Sequence, residues 1–334
     1  MRRTWWDKGL WTAILAAALL GWALPQPAAE GAVKRITLLG GQVGGAWNPW
    51  ASAMSVDFSK NIPGLNVSSE AGTGSPENVR RVHRGEVETG FGFSSDIHEA
   101  WRGGGIFKAP HTNLRAVSKL FGVVTHLIVL ANSDIQKLED IAGKTIAVGG
   151  PNSGSALTFE RLARQAGLWG KFKPVFLGGG KAASAIGDGQ VAAFNWTPGM
   201  GDRLITQIAV TNPSRLIELH SAAEKSGFYQ KYPYYSPRTI PAGTYKGIDK
   251  PVATFQQTTV WTANKDLPAD IVYRMVKRMY SPEAKAFLSN AVGRVFGEMA
   301  PDTAFSGVTI PLHPGAERFW KEKGVAIPKE IAAR

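Results

Sequence analysis

Residues 145–166 read TIAVGGPNSGSALTFERLARQA. A short β-favouring run, TIAV, ends in a glycine- and serine-rich turn. The turn opens an amphipathic helical pattern that Gly167 closes. The same order occurs earlier in the chain. RITLL (35–39) is a β-run, GGQVGG (40–45) is a turn, and Trp47, Trp50, Met54 and Phe58 then recur near a 3.6-residue period. A further β-run (65–70) leads through Gly72-Thr73-Gly74-Ser75 into Pro76. Serine as N-cap with proline at the first helical position predicts a helix to about Arg84, ended by Gly85. Strands alternating with helices in two separate units predict an α/β fold with a largely parallel sheet in each of two lobes.

Two long extended runs, 114–130 and 251–264, have the length to leave one lobe and return from the other. They divide the chain into a first lobe (32–122 plus 258–334) and a second (123–257). Residues 270–280 and 316–323 read as closing helices.

The N-terminus reads as an address. Arg2, Arg3 and Lys8 precede the uncharged run GLWTAILAAALLGWAL (9–24), and small residues follow. That is the layout of a secretory signal peptide over 1–31, and the run is short for a spanning helix. The expected product is periplasmic. It has no cysteine and hence no lipid anchor.

The 334 residues carry 38 Lys+Arg against 26 Asp+Glu, a net charge of +12. The excess favours anionic partners. The basic residues are scattered rather than striped along one helix, so no nucleic-acid footprint is drawn. The absence of cysteine removes disulfide scaffolds and thiolate chemistry. The six histidines (83, 98, 111, 126, 220 and 313) form no HExxH or close pair, and read as surface or capping residues rather than metal ligands. No G-x-S-x-G elbow or P-loop occurs, and GGQVGG has not the spacing of a dinucleotide fingerprint. Neither a cofactor nor a catalytic set is expected.

What remains is the three glycine-rich loops at 40–45, 72–75 and 149–155. In α/β folds, ligands sit beyond the carboxyl ends of strands. Backbone N–H groups and the dipole at a helix start attract carboxylate or phosphate. Ser75, Ser153 and Ser155 add hydroxyls, and Trp47 and Trp196 lie beside such loops.

Several segments resemble the TAXI family, the solute-binding subunits of one branch of TRAP transporters. GGAWNPW (44–50) is similar to the family's G-G-x-Y-Y-P. GTGSPENVRRVHRGE (72–86) is similar to T-G-G-S-x-x-N-L-x-x-x-x-x-G-E, and VGGPNSGS (148–155) to G-x-P-G-S-G-T. YPYYSPRTIPAGTYKG (232–247) and PLHPGAERFWKEKG (311–324) are the most specific stretches. The resemblance implies a two-lobed, type II periplasmic-binding-protein fold. It implies a monomer that captures a small organic anion between the lobes, with no chemistry on it, and delivers it to a TRAP membrane subunit. Two alternatives share the scaffold: a ligand-sensing module and an exported enzyme. Carried onto this chain, one wall of the cleft would hold Trp47, Thr73, Ser75, Asn78, Ser94 and Ser95. The other would hold Ser153, Gly154, Ser155, Asn195, Trp196 and Tyr235. Two departures bear on the solute. Where the family shows a Q-S-D-like segment, an ungapped alignment puts Phe93-Ser94-Ser95 here without the aspartate, unless Asp96 replaces it across a gap; its loss favours a plain carboxylate over an amino acid. Asn195 stands where an aromatic is common.

Overall fold

The extended runs at 114–130 and 251–264 become the strands that organise the molecule. The computed structural model describes residues 33–43, 45–293 and 298–334; the proposed signal peptide lies outside them. Strand β1 (Lys34–Leu39) is followed by helix α1 (Trp47–Asn61), β2 (Leu65–Glu70), α2 (Ser75–Arg84), β3 (Thr89–Phe93) and α3 (Ser94–Arg102). β4 (Leu114–Val124) then runs into β5 (His126–Leu130), with only Thr125 between them. The second unit holds β6 (Thr145–Gly149), α4 (Gly154–Gln165), β7 (Lys173–Phe176), α5 (Gly179–Gly187), β8 (Ala193–Trp196), α6 (Arg203–Thr211) and β9 (Ser214–Leu216). Short helices α7 (His220–Lys225) and α8 (Phe228–Lys231) lead to β10 (Ser236–Ile240) and β11 (Val252–Asn264). Then α9 (Ala269–Met279), α10 (Pro282–Val292) and α11 (Pro314–Glu322) close the chain.

Two sheets result. The first has the order β10-β11-β3-β1-β2, with β4 also on β11; the second has the order β7-β6-β8-β5-β9. The expected parallel pairing holds for β1 with β2 and β3, and for β6 with β7 and β8. The rest is antiparallel: β11 on β3, β4 and β10, and β5 on β8 and β9. Both sheets are therefore mixed. A strand that crosses between lobes and its return must run in opposite directions, and each adds an antiparallel neighbour to a parallel centre.

Residues 34–334 cluster as one compact unit. Within it the helices pack on their own sheets and bury separate cores. Trp50, Phe58, Phe91 and Trp261 anchor the first, with Phe58 and Trp261 stacked at 5.8 Å. Phe159, Phe228 and Phe255 anchor one face of the second sheet, and Phe194 and Ile205 anchor the other. Burying each such side chain contributes about 1.5–3 kcal/mol. Two local readings change. Ser75 is not the cap of α2: Gly74 holds that position with φ +136°, and the Ser75 hydroxyl oxygen accepts the Phe93 N–H at 2.8 Å. Helix α10, unmarked by the sequence, starts at a Ser281 cap before Pro282. Among the described residues no helix is long and apolar enough to cross a membrane.

Candidate functional site

The glycine-rich loops of the two lobes meet over a cavity of about 60 Å³. On the same measure a single water needs about 10–15 Å³, so a molecule of a few heavy atoms fits. Trp47, Phe93, Phe121, Val123, Trp196 and Pro198 form its apolar wall. Gln42, Ser75, Ser153, Ser155 and Thr197 supply its polar side chains. Among the described lining residues none carries a charge.

The loops come this close because glycine permits it. A Cβ on Gly74 would lie 3.6 Å from Ser153 Cα, so the start of α2 touches the start of α4. Trp47, on the first turn of α1, meets Phe93 edge to face at 5.0 Å and donates its indole N–H to Thr259 Oγ1 at 3.2 Å. Gln42 donates to the Thr73 carbonyl at 2.6 Å.

The three serines share one logic. Ser75 Oγ accepts the Phe93 N–H, Ser153 Oγ accepts the Ala156 N–H as the N-cap of α4, and Ser155 Oγ accepts the Thr197 N–H. A hydroxyl has one proton to give besides the lone pairs it lends. Each serine is thus fixed as an acceptor by the backbone and keeps an O–H for the cavity. The first-turn amides of Gly154 and Ser155 have no intrahelical acceptor, and the α4 dipole adds partial positive charge there. The wall is rich in donors and poor in acceptors.

Of the residues named from the sequence, Trp47, Ser75, Ser153, Gly154, Ser155 and Trp196 come together around this cavity. The others stand away from it. The Thr73 backbone is tied to Gln42 and, through its N–H, to Glu77. Asn78 donates to the carbonyls of Gly40 and Phe91, and Asn195 to those of Val148 and Ser155. Ser94 Oγ accepts the Thr258 N–H, and the Ser95 N–H donates to Gln257. Tyr235 donates to Thr158. These side chains brace the loops from behind. Gln42, Phe93, Phe121, Val123 and the 197–199 turn were not singled out in the sequence. Gln42 had a signal, as the polar residue inside a glycine loop. Phe121 and Val123 had none, because an apolar residue on a crossing strand reads as core.

Behind the wall lies a buried ionic cluster. Arg161, on α4, donates to Asp96 Oδ1 at 3.0 Å and to Glu99 Oε2 at 2.8 Å, both on α3. Its other terminal nitrogen donates to Ser95 Oγ and to the Tyr235 hydroxyl. Tyr234 donates to Glu99 Oε1 at 2.8 Å. Burial opposes the charge on Arg161, but the facing Tyr235, Asp96 and Glu99 side chains together outweigh it and raise its pKa.

His126, read as a surface or capping residue, is instead buried. It bonds the Val124 carbonyl through Nδ1 and Tyr245 through Nε2, and Tyr245 OH also accepts the Gly201 N–H. Burial lowers its pKa to about 4, so the neutral ring holds the turn that follows Trp196. His313 does cap, at the start of α11. Among the described residues no group of three or more histidine, aspartate or glutamate side chains is placed to hold a metal ion.

A family model described as the NMT1-like family matches residues 38–324. Solved structures resemble the chain in fold. MatC from Rhodopseudomonas palustris with bound malate has a TM-score of 0.50 and 14% identity, over 80% of this chain and 92% of that one. XAC2383 from Xanthomonas citri bound to chloride ion has a TM-score of 0.50 and 11% identity, over 86% and 95%. The periplasmic aliphatic sulphonate binding protein SsuA from Escherichia coli has a TM-score of 0.48 and 16% identity, over 89% and 95%.

Proposed function

The chain belongs to the NMT1-like family, and from that premise we propose that it is an exported solute-binding protein. It captures a small organic anion, a carboxylate or dicarboxylate, between its lobes and delivers it to a membrane permease of the TRAP type. The observation that carries this reading is the donor set. Three serine hydroxyls with protons to give, and the first-turn amides of α4, surround a small aromatic cavity with no charged side chain. A carboxylate takes such donors, while the rings cover its carbon skeleton. A sugar would need acceptors as well. The reading is capture rather than catalysis, in keeping with the family. Trp47, Ser75, Ser153, Gly154, Ser155 and Trp196 touch the solute in this reading. Thr73, Asn78, Ser94, Ser95, Asn195 and Tyr235 support the wall.

The test is a thermal-shift screen of the purified protein with acetate, propionate, pyruvate, malonate and succinate, set against glycine, glutamate and glucose. A solute at one hundred times its Kd stabilises the folded state by about 2.7 kcal/mol. Stabilisation by an acid supports the reading; stabilisation by glucose alone overturns it. A gene for a TRAP membrane subunit beside this one would support the choice of permease.

A further inference from the structure

The helices α3 and α4 both start at the cavity wall, the one directly after Phe93 and the other directly after Ser153. They pack against different sheets. Deeper along each helix the two are joined by ions: Arg161 on α4 bridges Asp96 and Glu99 on α3. The side chains are 9%, 0% and 15% exposed. Tyr234 and Tyr235, from the segment that packs with the second core, complete the shell.

We infer that Arg161, with Asp96 and Glu99, is a positioning cluster that holds the lobes closed before any solute arrives. The inference rests on reading the cavity as a solute site that opens and closes. Its physical basis is that the three charges are buried only while the lobes are together. When α3 leaves α4, water reaches all of them. A closed lobe pair therefore demands a cation between its two carboxylates. If Arg161 is removed, the closed form buries two carboxylates with no cation, whereas the open form hydrates both. Removing all the charges lifts that demand. The cluster then acts on affinity through the fraction of protein already closed, and leaves the choice of solute to the wall.

The chain has no cysteine, so spin labels go only where cysteines are introduced. Lys60 on α1 and Lys181 on α5 are exposed and stand on the two lobes. Pulsed electron spin resonance on the solute-free protein with Lys60→Cys and Lys181→Cys measures the inter-lobe distance. A population at the closed distance is expected. Arg161→Met, which leaves both carboxylates without a cation, lowers the closed-to-open ratio by at least roughly ten-fold. The triple variant Arg161→Met, Asp96→Asn, Glu99→Gln recovers part of it and stays below the unsubstituted protein, a partial rescue that a merely structural role would not give. The proposal is overturned if the unsubstituted protein shows only the open distance. It is equally overturned if Arg161→Met overlays it while folded. The double variant Asp96→Asn, Glu99→Gln, which leaves Arg161 without an anion, keeps the test usable if Arg161→Met does not fold. No solute enters this measurement, so its outcome is separate from that of the acid screen.

Discussion

The ring of Phe93 crowds the position that a β-carbon would take on Gly154, with its Cδ2 and Cε2 atoms 2.4 and 2.6 Å from that point. The contact joins the end of β3 to the first residue of α4, and so one lobe to the other. Alanine is about 1 kcal/mol better than glycine within a helix, so α4 itself would accept it. The closed cleft would not. Gly154→Ala should therefore leave α4 formed but shift the solute-free protein toward the open lobe distance. It should weaken binding of the acid found in the screen by roughly ten-fold or more, since overpacking costs about 1–3 kcal/mol. Calorimetric affinity equal to that of the unsubstituted protein would mean that Phe93 and Gly154 do not meet in the bound state.

Ser153 serves both as a cap and as part of the wall, and the two roles separate. Aspartate caps as well as serine and suits the helix dipole, so Ser153→Asp should keep the solute-free melting temperature. Ionised aspartate has no proton to donate and brings a like charge. Losing one charge-assisted bond costs about 1.5–3 kcal/mol, ten-fold to over a hundred-fold in affinity, before repulsion is added. Normal calorimetric affinity for an acid would refute its place at the solute.

Buried His126 and His313 each have a pKa pulled down to about 4, first by desolvation. The unfolded chain binds these protons near pH 6.5. The native state binds them only near pH 4. Their contribution to stability is therefore complete above pH 6.5 and is lost as pH falls through about 4. Each is worth roughly 3 kcal/mol at most, at about 1.4 kcal/mol per pKa unit. Urea midpoints should fall across that window, and His126→Gln should flatten the fall. A flat profile from pH 6.5 to 4 in the unsubstituted protein would contradict the burial of both rings.

Asp57 on α1 is paired with Arg278 on α9 through two hydrogen bonds of 2.7 and 2.8 Å, far from the cavity. The Asp57 side chain is 2% exposed and that of Arg278 18%. Arg278→Met leaves a buried carboxylate without its cation. The expected loss is about 2–3 kcal/mol, below that of a fully buried pair, with acid affinity unchanged in the folded protein. A calorimetric affinity that falls with the stability would show that the first lobe transmits strain to the site.

The units of strand, glycine loop and helix were legible because each is local. The hydrophobic run, the turn and the cap all lie within a few residues, and both crossings showed as long extended runs. The site was legible only in part. Residues 93–95 read as a polar wall, yet the chain enters α3 there, and successive side chains point in different directions around the helix. Phe93 faces the cavity while Ser94 and Ser95 turn toward β11 and Arg161. Nothing near Asp96 announces its partner, because Arg161 lies far along the chain on another helix. Asn195 kept its polar role, but toward the α4 loop rather than the cavity. What the sequence left unread was pairing across the lobes, which has no period and no spacing.

Thr125, between β4 and β5, donates its N–H to Phe255 and takes the Thr254 hydroxyl on its carbonyl. The passage between lobes is thus a two-ply strap, laced across its width. Such a strap is narrower than either sheet it joins, so the angle between the lobes would vary there. A membrane partner would then need no contact with the solute at all. By gripping both lobes it would read that angle, and the angle would report whether cargo is aboard.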